Sequence, residues 1–274
     1  MASHARHSHL LRPLEPAFRR IEPAWNSVME WMGSREGLPA GINGDVFRLT
    51  YTYGARYDKQ REYEPDIYLP FAASIKAGMT VFDVGAHVGF FSLAAAQRVG
   101  PGGRVMAFEP SPETLRVLRD HVRLNGWDDR VTVEASVVSD QAGSMTFYTF
   151  GESMAASLSR ENVEELNVEQ PDHATPLTVP SVTLDQYCEE WTLSPDVIKI
   201  DVEGAELKVL RGAEKLLRSK AVTIWCEVHP MQMANLGDSV EALGEYLAGV
   251  GYVAEPIAAP GHMGIYQSHI HRVK

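Results

Sequence analysis

Four side chains in the last third of the chain have the types and spacing for proton transfer or cation binding. Asp201 and Glu203 follow the apolar run Val197–Ile200, and Glu227 and His229 follow Val222–Cys226. Residues two apart on a strand point to the same face, so each pair can project together. If the two runs are neighbouring strands, three carboxylates and one imidazole converge. An imidazole with an ordinary pKa near neutrality, oriented by a carboxylate, is a general base. The same four groups are also a ligand set for a divalent cation such as Mg2+. A third reading is structural: Glu203 and Glu227 fix local backbone and the helix start near Gly204.

A second constellation lies upstream. Val81-Phe82-Asp83-Val84-Gly85-Ala86-His87-Val88-Gly89 follows an apolar run and opens a helical pattern at Phe90. Gly85 and Gly89 permit a tight turn with close backbone approach to a ligand. His87 stands where a further glycine could, and His is among the side chains tolerated at positive φ. The spacing is not the dinucleotide fingerprint G-x-G-x-x-G. Asp83 would repel a pyrophosphate but suits a cofactor that carries an ammonium and a sulfonium. Glu109 ends the next strand, where an acid can accept hydrogen bonds from both ribose hydroxyls.

These positions need a scaffold of strands that stop at the site. Thr80–Val84, Arg104–Phe108, Val131–Val133 and Val197–Ile200 read as strands. Phe90–Arg98 and Ala205–Arg218 read as helices, each a single run. Ser111-Pro112-Glu113 gives an N-cap, a proline at the first helical position and an acid in the first turn. Val222–Cys226, a helix over Ser239–Val250 and a terminal pair of strands close the chain. Alternating strands and helices predict a doubly wound, Rossmann-like α/β sheet, with ligands beyond the strands' carboxyl ends.

Residues 1–62 predict a separate tail and cap. It comprises a helix over about Ile21–Met32 and a hairpin turning at Asn43-Gly44-Asp45, with β alternation from Val46 to Tyr53. The main domain spans 63–274, with an irregular inserted loop or lid over about 151–180. His4, His7 and His9 belong to the tail, His173 to the lid, and His262, His269 and His271 read as surface residues. The acidic run Glu161–Glu169 reads as a solvated helix face.

With 274 residues, 45% of them apolar, the chain can bury a sizeable core. A net charge of −11 without a basic run argues against nucleic acid as a partner. Cys188 and Cys226 lack metal-ligand spacing, and two cysteines fit a reduced compartment. Met1–Pro13 lacks the apolar core of a signal peptide, and no run approaches the length of a membrane span. The chain therefore reads as soluble and cytoplasmic, with no membrane partner.

The blocks together resemble the FkbM family of S-adenosylmethionine (SAM)-dependent methyltransferases. Tyr63-Glu64-Pro65, Asp83–Ser92 and Phe108-Glu109-Pro110-Ser111-Pro112 carry the first half of the likeness. Ser181–Asp185, Ile198–Glu206 and Trp225-Cys226-Glu227-Val228-His229-Pro230 carry the second. It covers about residues 60–230, and the family usually has Asn in place of His87. The resemblance implies a class I methyltransferase sheet, with SAM as donor and a hydroxyl of a small molecule, such as a secondary metabolite, or of a sugar as acceptor. It places Asp83 and Gly85 near the methionine part and Glu109 at the ribose, with His87, Gly89, Phe90 and Pro110 also binding the cofactor. Ser136 would face the adenine, Glu64 the ammonium group, and Asp201 both cofactor and acceptor. Asp201, Glu203, Glu227 and His229 would be catalytic or metal-binding. Transfer to nitrogen, a non-catalytic SAM-binding module and a nicotinamide-dependent dehydrogenase are the alternatives. A homo-oligomer is compatible with the sequence.

Overall fold

The computed structural model describes residues 36–57, 60–149, 156–166 and 174–273. The helix anticipated at 21–32, the histidines of the N-terminal tail and His173 lie outside the described residues. The chain divides into two compact units, residues 1–61 and 62–274.

In the first unit, β1 (Leu38–Ile42) and β2 (Asp45–Leu49) form an antiparallel hairpin in which Leu38 pairs with Leu49. Phe47 and Leu49 are buried while Val46 and Arg48 are exposed, the alternation of a half-buried strand. The strand character anticipated as far as Tyr53 ends at Leu49, because β1 offers no partner beyond Leu38. Tyr51–Arg56 turn instead into a short helix, α1.

The second unit opens with α2 (Pro65–Ser74), then β3 (Thr80–Val84), α3 (Phe90–Val99), β4 (Arg104–Phe108), α4 (Pro112–Leu124) and β5 (Val131–Glu134). Helix α4 buries Leu115, Leu118 and Val122, a stripe at helical spacing. Four strands then form a small separate sheet: β6 (Val137–Val138), β7 (Gly143–Thr149), β8 (Ala156–Ser157) and β9 (Thr175–Val182), in the order β6-β9-β7-β8. Helix α5 (Arg160–Leu166) lies between β8 and β9. The stretch 151–180 is therefore not irregular throughout: its described parts are strand and helix, with β9 paired antiparallel to β7 along its length.

Next come α6 (Leu184–Trp191), β10 (Val197–Ile200), α7 (Glu206–Arg211), α8 (Glu214–Ser219) and β11 (Thr223–Val228). Helices α9 (Pro230–Asn235) and α10 (Val240–Gly249) lead to the terminal strands β12 (Tyr252–Pro256) and β13 (Tyr266–Arg272). The single helix anticipated over 205–218 is two. The carboxylate of Asp185, in the first turn of α6, accepts hydrogen bonds from the Lys215 and Leu216 N–H groups, both at 2.8 Å. It thereby caps a new helix start and breaks the run at Gly212-Ala213.

The main sheet has the order β12-β13-β11-β10-β3-β4-β5. Strands β11, β10, β3, β4 and β5 are parallel, and β13 is antiparallel to both β11 and β12. The chain winds from β3 outward through β4 and β5, then crosses to β10 and β11. The switch point thus lies between β3 and β10, where doubly wound sheets bind ligands. No helix among the described residues is long and apolar enough to cross a membrane. Cys188 and Cys226 are buried and unpaired.

Asp185→Ala should cost about 2 kcal/mol of stability, because two charge-assisted hydrogen bonds to a helix start are lost. Chemical denaturation of the two proteins checks this, and an unchanged midpoint would contradict it.

Candidate active site

A cavity of about 250 Å³ lies at the carboxyl ends of β3, β4, β10 and β11. The turn after β3 forms one wall. The Gly85 N–H donates to the Phe108 carbonyl at 3.0 Å. At φ +80°, a Cβ on Gly85 would stand 1.7 Å from the Asp201 carbonyl oxygen, so only glycine lets the two strand ends meet here. His121 Nδ1–H on α4 donates to the Val88 carbonyl at 2.8 Å and holds the turn from behind. Burial pushes the His121 imidazole down to about 4, so it stays neutral.

Gly85, His87, Glu109, Pro110, Ser136, Glu64, Asp201, Glu203, Glu227 and His229 all line the cavity. Asp83, Gly89 and Phe90 do not. Asp83 is 1% exposed and accepts a hydrogen bond from Ser92 Oγ on α3. Burial pushes its carboxyl up to about 6 against the pull of Lys199. Asp83 therefore lies behind the wall, not on its surface. Gly89 caps α3, and the Phe90 ring stacks on His121. Glu109 accepts from the His87 N–H, the Ser111 N–H and Thr114 Oγ1, each at 2.8 Å. A carboxylate has about four lone-pair sites. The fold takes three of Glu109's, which leaves room for one hydroxyl and not two.

The four polar residues after β10 and β11 do converge. His229 Nε2 lies 3.8 Å from Asp201 Oδ1, 3.7 Å from Glu203 Oε2 and 4.0 Å from Glu227 Oε1. Strand alternation is not the route. Strand β10 ends at Ile200, and Glu203 arrives by a turn with its own φ at +49°. Glu64 (φ +43°) and His87 (φ +50°) share this left-handed conformation, which costs a side-chain-bearing residue about 1–2 kcal/mol. Three cavity residues are held in it.

Two charged groups beneath the cavity escaped the sequence reading. Lys199 is 1% exposed, and its Nζ lies 2.9 Å from Asp201 Oδ2 and 4.6 Å from the centre of the Phe91 ring. A lysine amid Val197, Ile198 and Ile200 on a central strand was the available signal. Fully buried Glu206 bonds His229 Nδ1 at 2.8 Å and accepts from the Gly204 N–H at 3.0 Å. Burial alone would lower the His229 pKa, but Glu206, Asp201 and Glu203 push it up to about 10. His229 therefore holds its proton at neutral pH. The premise of an ordinary imidazole pKa fails here because carboxylates surround the ring. Burial and neighbouring carboxylates raise Glu203 and Glu227 to about 7 each. Burial would also raise Asp201, yet Lys199 and His229 hold it below the usual carboxylate range.

The small sheet supplies an apolar wall through Phe147, Ala156 and Leu158. Behind it, the buried Asn162 of α5 donates from Nδ2 to the Glu203 carbonyl at 3.0 Å and the Gln232 carbonyl at 3.3 Å. Ser157 Oγ donates to the same Glu203 carbonyl at 3.0 Å. In the run anticipated as a solvated helix face, Glu161 is exposed, whereas its neighbour Asn162 is buried and buttresses the site. The cavity presents buried polar atoms without partners among the described residues: Glu64 Oε2, His87 Nε2 and Glu227 Oε2. Burial pushes the His87 imidazole down to about 4, leaving it neutral.

The model of the FkbM methyltransferase domain matches residues 83–254. The chain is 32% identical over 200 residues to 31-O-demethyl-FK506 methyltransferase FkbM of Streptomyces tacrolimicus, covering 64% of this chain and 75% of that one. It is 27% identical over 211 residues to the hexuronic acid methyltransferase AglP of Haloferax volcanii, covering 74% and 80%. The solved structure of methyltransferase FkbM from Methylobacillus flagellatus aligns with a TM-score of 0.47 at 19% identity. That alignment covers 71% of this chain and 43% of that one, so this chain spans less than half of that protein.

The raised His229 pKa fixes a pH dependence. A group that holds its proton more tightly when folded gives stability that is full below about 6.5 and lost as pH rises toward 10. The ligand-free protein should lose stability from pH 7 to 8.5, at up to about 1.4 kcal/mol per pH unit for this one proton. Denaturation of wild type and His229→Asn across that range tests it. Equal slopes would contradict the assignment.

Proposed function

The chain belongs to the FkbM methyltransferase family, and on that premise we propose that it moves a methyl group from SAM to a hydroxyl oxygen of a small molecule or sugar. The observation that carries this reading is the charge balance of the cavity. Glu64, Asp201, Glu203 and Glu227 face it, with Asp83 and Glu206 behind, and among the described residues only Lys199 and His229 oppose them. A ligand bearing a sulfonium and an ammonium supplies the missing positive charge. A dinucleotide pyrophosphate would add negative charge to an already acidic site.

SAM when bound supplies a methyl carbon made electrophilic by a cationic sulfur. The unpartnered Glu64 Oε2 is placed to hold an ammonium group, and Glu109 a ribose hydroxyl. Asp201, Glu203, Glu227 and His229 line the part of the cavity where an acceptor hydroxyl must lose its proton. Glu206 fixes the His229 ring through Nδ1, so Nε2 alone faces the acceptor. Incoming positive charge lowers the His229 pKa and frees Nε2 to accept the proton. The apolar wall of Phe147, Ala156 and Leu158 would limit water around the reacting groups.

A second reading places a divalent cation here. One ligand atom each from Asp201, Glu203 and His229 lies within 4.8 Å of the other two, as does the set Glu64, Asp201 and Glu227. The oxygen-rich donors suit Mg2+, which would lower the pKa of a bound hydroxyl.

Calorimetric titration with SAM, S-adenosylhomocysteine and NAD, with and without Mg2+, tests the cofactor. Binding of the two adenosyl ligands without NAD is expected. Binding of NAD alone overturns the proposal, and tighter binding or turnover only with Mg2+ favours the second reading. In the presence of an accepted substrate, His229→Ala should keep SAM affinity within about threefold and lose turnover by 10²-fold or more. Near-normal turnover would remove His229 as the base.

A further inference from the structure

The terminal strands carry a second group of ligand-type side chains, remote in kind from the acidic cavity. His269 and His271 are two apart on β13 and share one face. Glu255 on β12 pairs directly across from His269. One ligand atom from each of the three lies within 4.8 Å of the other two. His271 Nε2 is 3.9 Å from Glu255 Oε1, and the two imidazole rings stack with centroids 4.9 Å apart. His271 Nδ1 is buried and has no hydrogen-bond partner among the described residues, an unusual cost for a ring that serves only the fold. None of the three residues lines the cavity. The sequence marked both histidines as scattered surface residues; pairing of β12 with β13 is what gathers them.

We propose that His269, His271 and Glu255 form a binding site for a transition-metal cation of the Zn2+ class, clipping strand β12 to β13. Two imidazole nitrogens and one carboxylate oxygen are the donors of three-ligand zinc sites, with a fourth position left to water. Mg2+ and Ca2+ prefer oxygen ligands, which the two imidazoles of the hairpin do not offer. The three atoms are further apart than the ligands of a bound ion, so binding requires these side chains to rotate toward one another. The consequence is mechanical. Among the described residues, strand β12 is the outermost strand of the sheet and pairs only with β13, so a metal bridge fastens an edge that otherwise depends on one ladder. The site also has a built-in reporter: Trp225 on β11 stacks on His269 with centroids 4.5 Å apart.

The test uses the full chain with His4, His7 and His9 replaced by Ala, so that N-terminal imidazoles take no part, in millimolar Mg2+. Zn2+ is titrated by calorimetry and by tryptophan fluorescence. The comparison proteins are the same chain with His269→Ala and His271→Ala together, and with Glu255→Gln alone. The parent should bind one more equivalent of Zn2+ than the double variant, with a fluorescence change that the double variant lacks. Its unfolding temperature should rise with Zn2+, and that of the double variant should not. Glu255 is largely exposed, so Glu255→Gln keeps the fold; it should weaken the extra equivalent tenfold or more, since even outer-shell partners are worth that much. Equal Zn2+ stoichiometry and affinity in the parent and Glu255→Gln would overturn the proposal, whatever the double variant does. These readouts need no methyl transfer, so they stand or fall apart from the proposed reaction.

Discussion

Lys199 is the charge on which the carboxyl-terminal edge of the sheet depends. It stands on β10 directly beside Asp83 of β3, fully buried, with its ammonium on Asp201 and its field reaching Glu64 and Glu227. Burying a lone ammonium is costly unless it is paired, and so is burying each of those carboxylates. Each side therefore makes the other tolerable. The match is incomplete, because carboxylates outnumber cations around the cavity. Burial raises the carboxyls of Asp83, Glu203 and Glu227, and the carboxylates around His229 raise its imidazole against burial. The ligand-free site is short of positive charge, and a cationic ligand relieves it.

Backbone strain is also stored at this site. Glu64, His87 and Glu203 adopt left-handed conformations that side chains rarely take, and each lines the cavity. Such strain persists only where surrounding structure over-determines it. For Glu203 the restraint comes from a distance in sequence. Asn162 and Ser157 donate to its carbonyl, and Asn162 also reaches Gln232, one turn past His229. For His87 the restraint is Glu109, which accepts its N–H. The insert between β7 and β9 is thus both a wall of the cavity and a clamp on one of its acids.

Much of this was legible in the residues. The strand ends at Val84, Phe108 and Ile200, the glycine turn and the doubly wound order follow from local patterns, because period, caps and glycines act within a few residues. So does the family, since its blocks are contiguous. What misled was also local. Tyr51 and Tyr53 have strand-like alternation, but β1 supplies no partner for them. Residues 205–218 have one helical period, but a carboxylate thirty residues upstream starts a second helix within them. Asp83 sits in the cofactor motif, yet it supports the wall from behind.

The sequence by itself determined the scaffold, the family and the gathering of Asp201, Glu203, Glu227 and His229 at the switch point. Only the tertiary structure decided their protonation, their partners and their division of labour. Protonation depends on how many charges meet in a dry volume, and those charges come from β3, β10, α7 and β11. Glu206 beside His229, Lys199 beneath Asp201 and Asn162 behind Glu203 are contacts across chain separations that no local period encodes. Electrostatic energy in a buried site is set by distance and desolvation in three dimensions, and that is why His229 reads as an ordinary imidazole in sequence and an imidazolium in the fold.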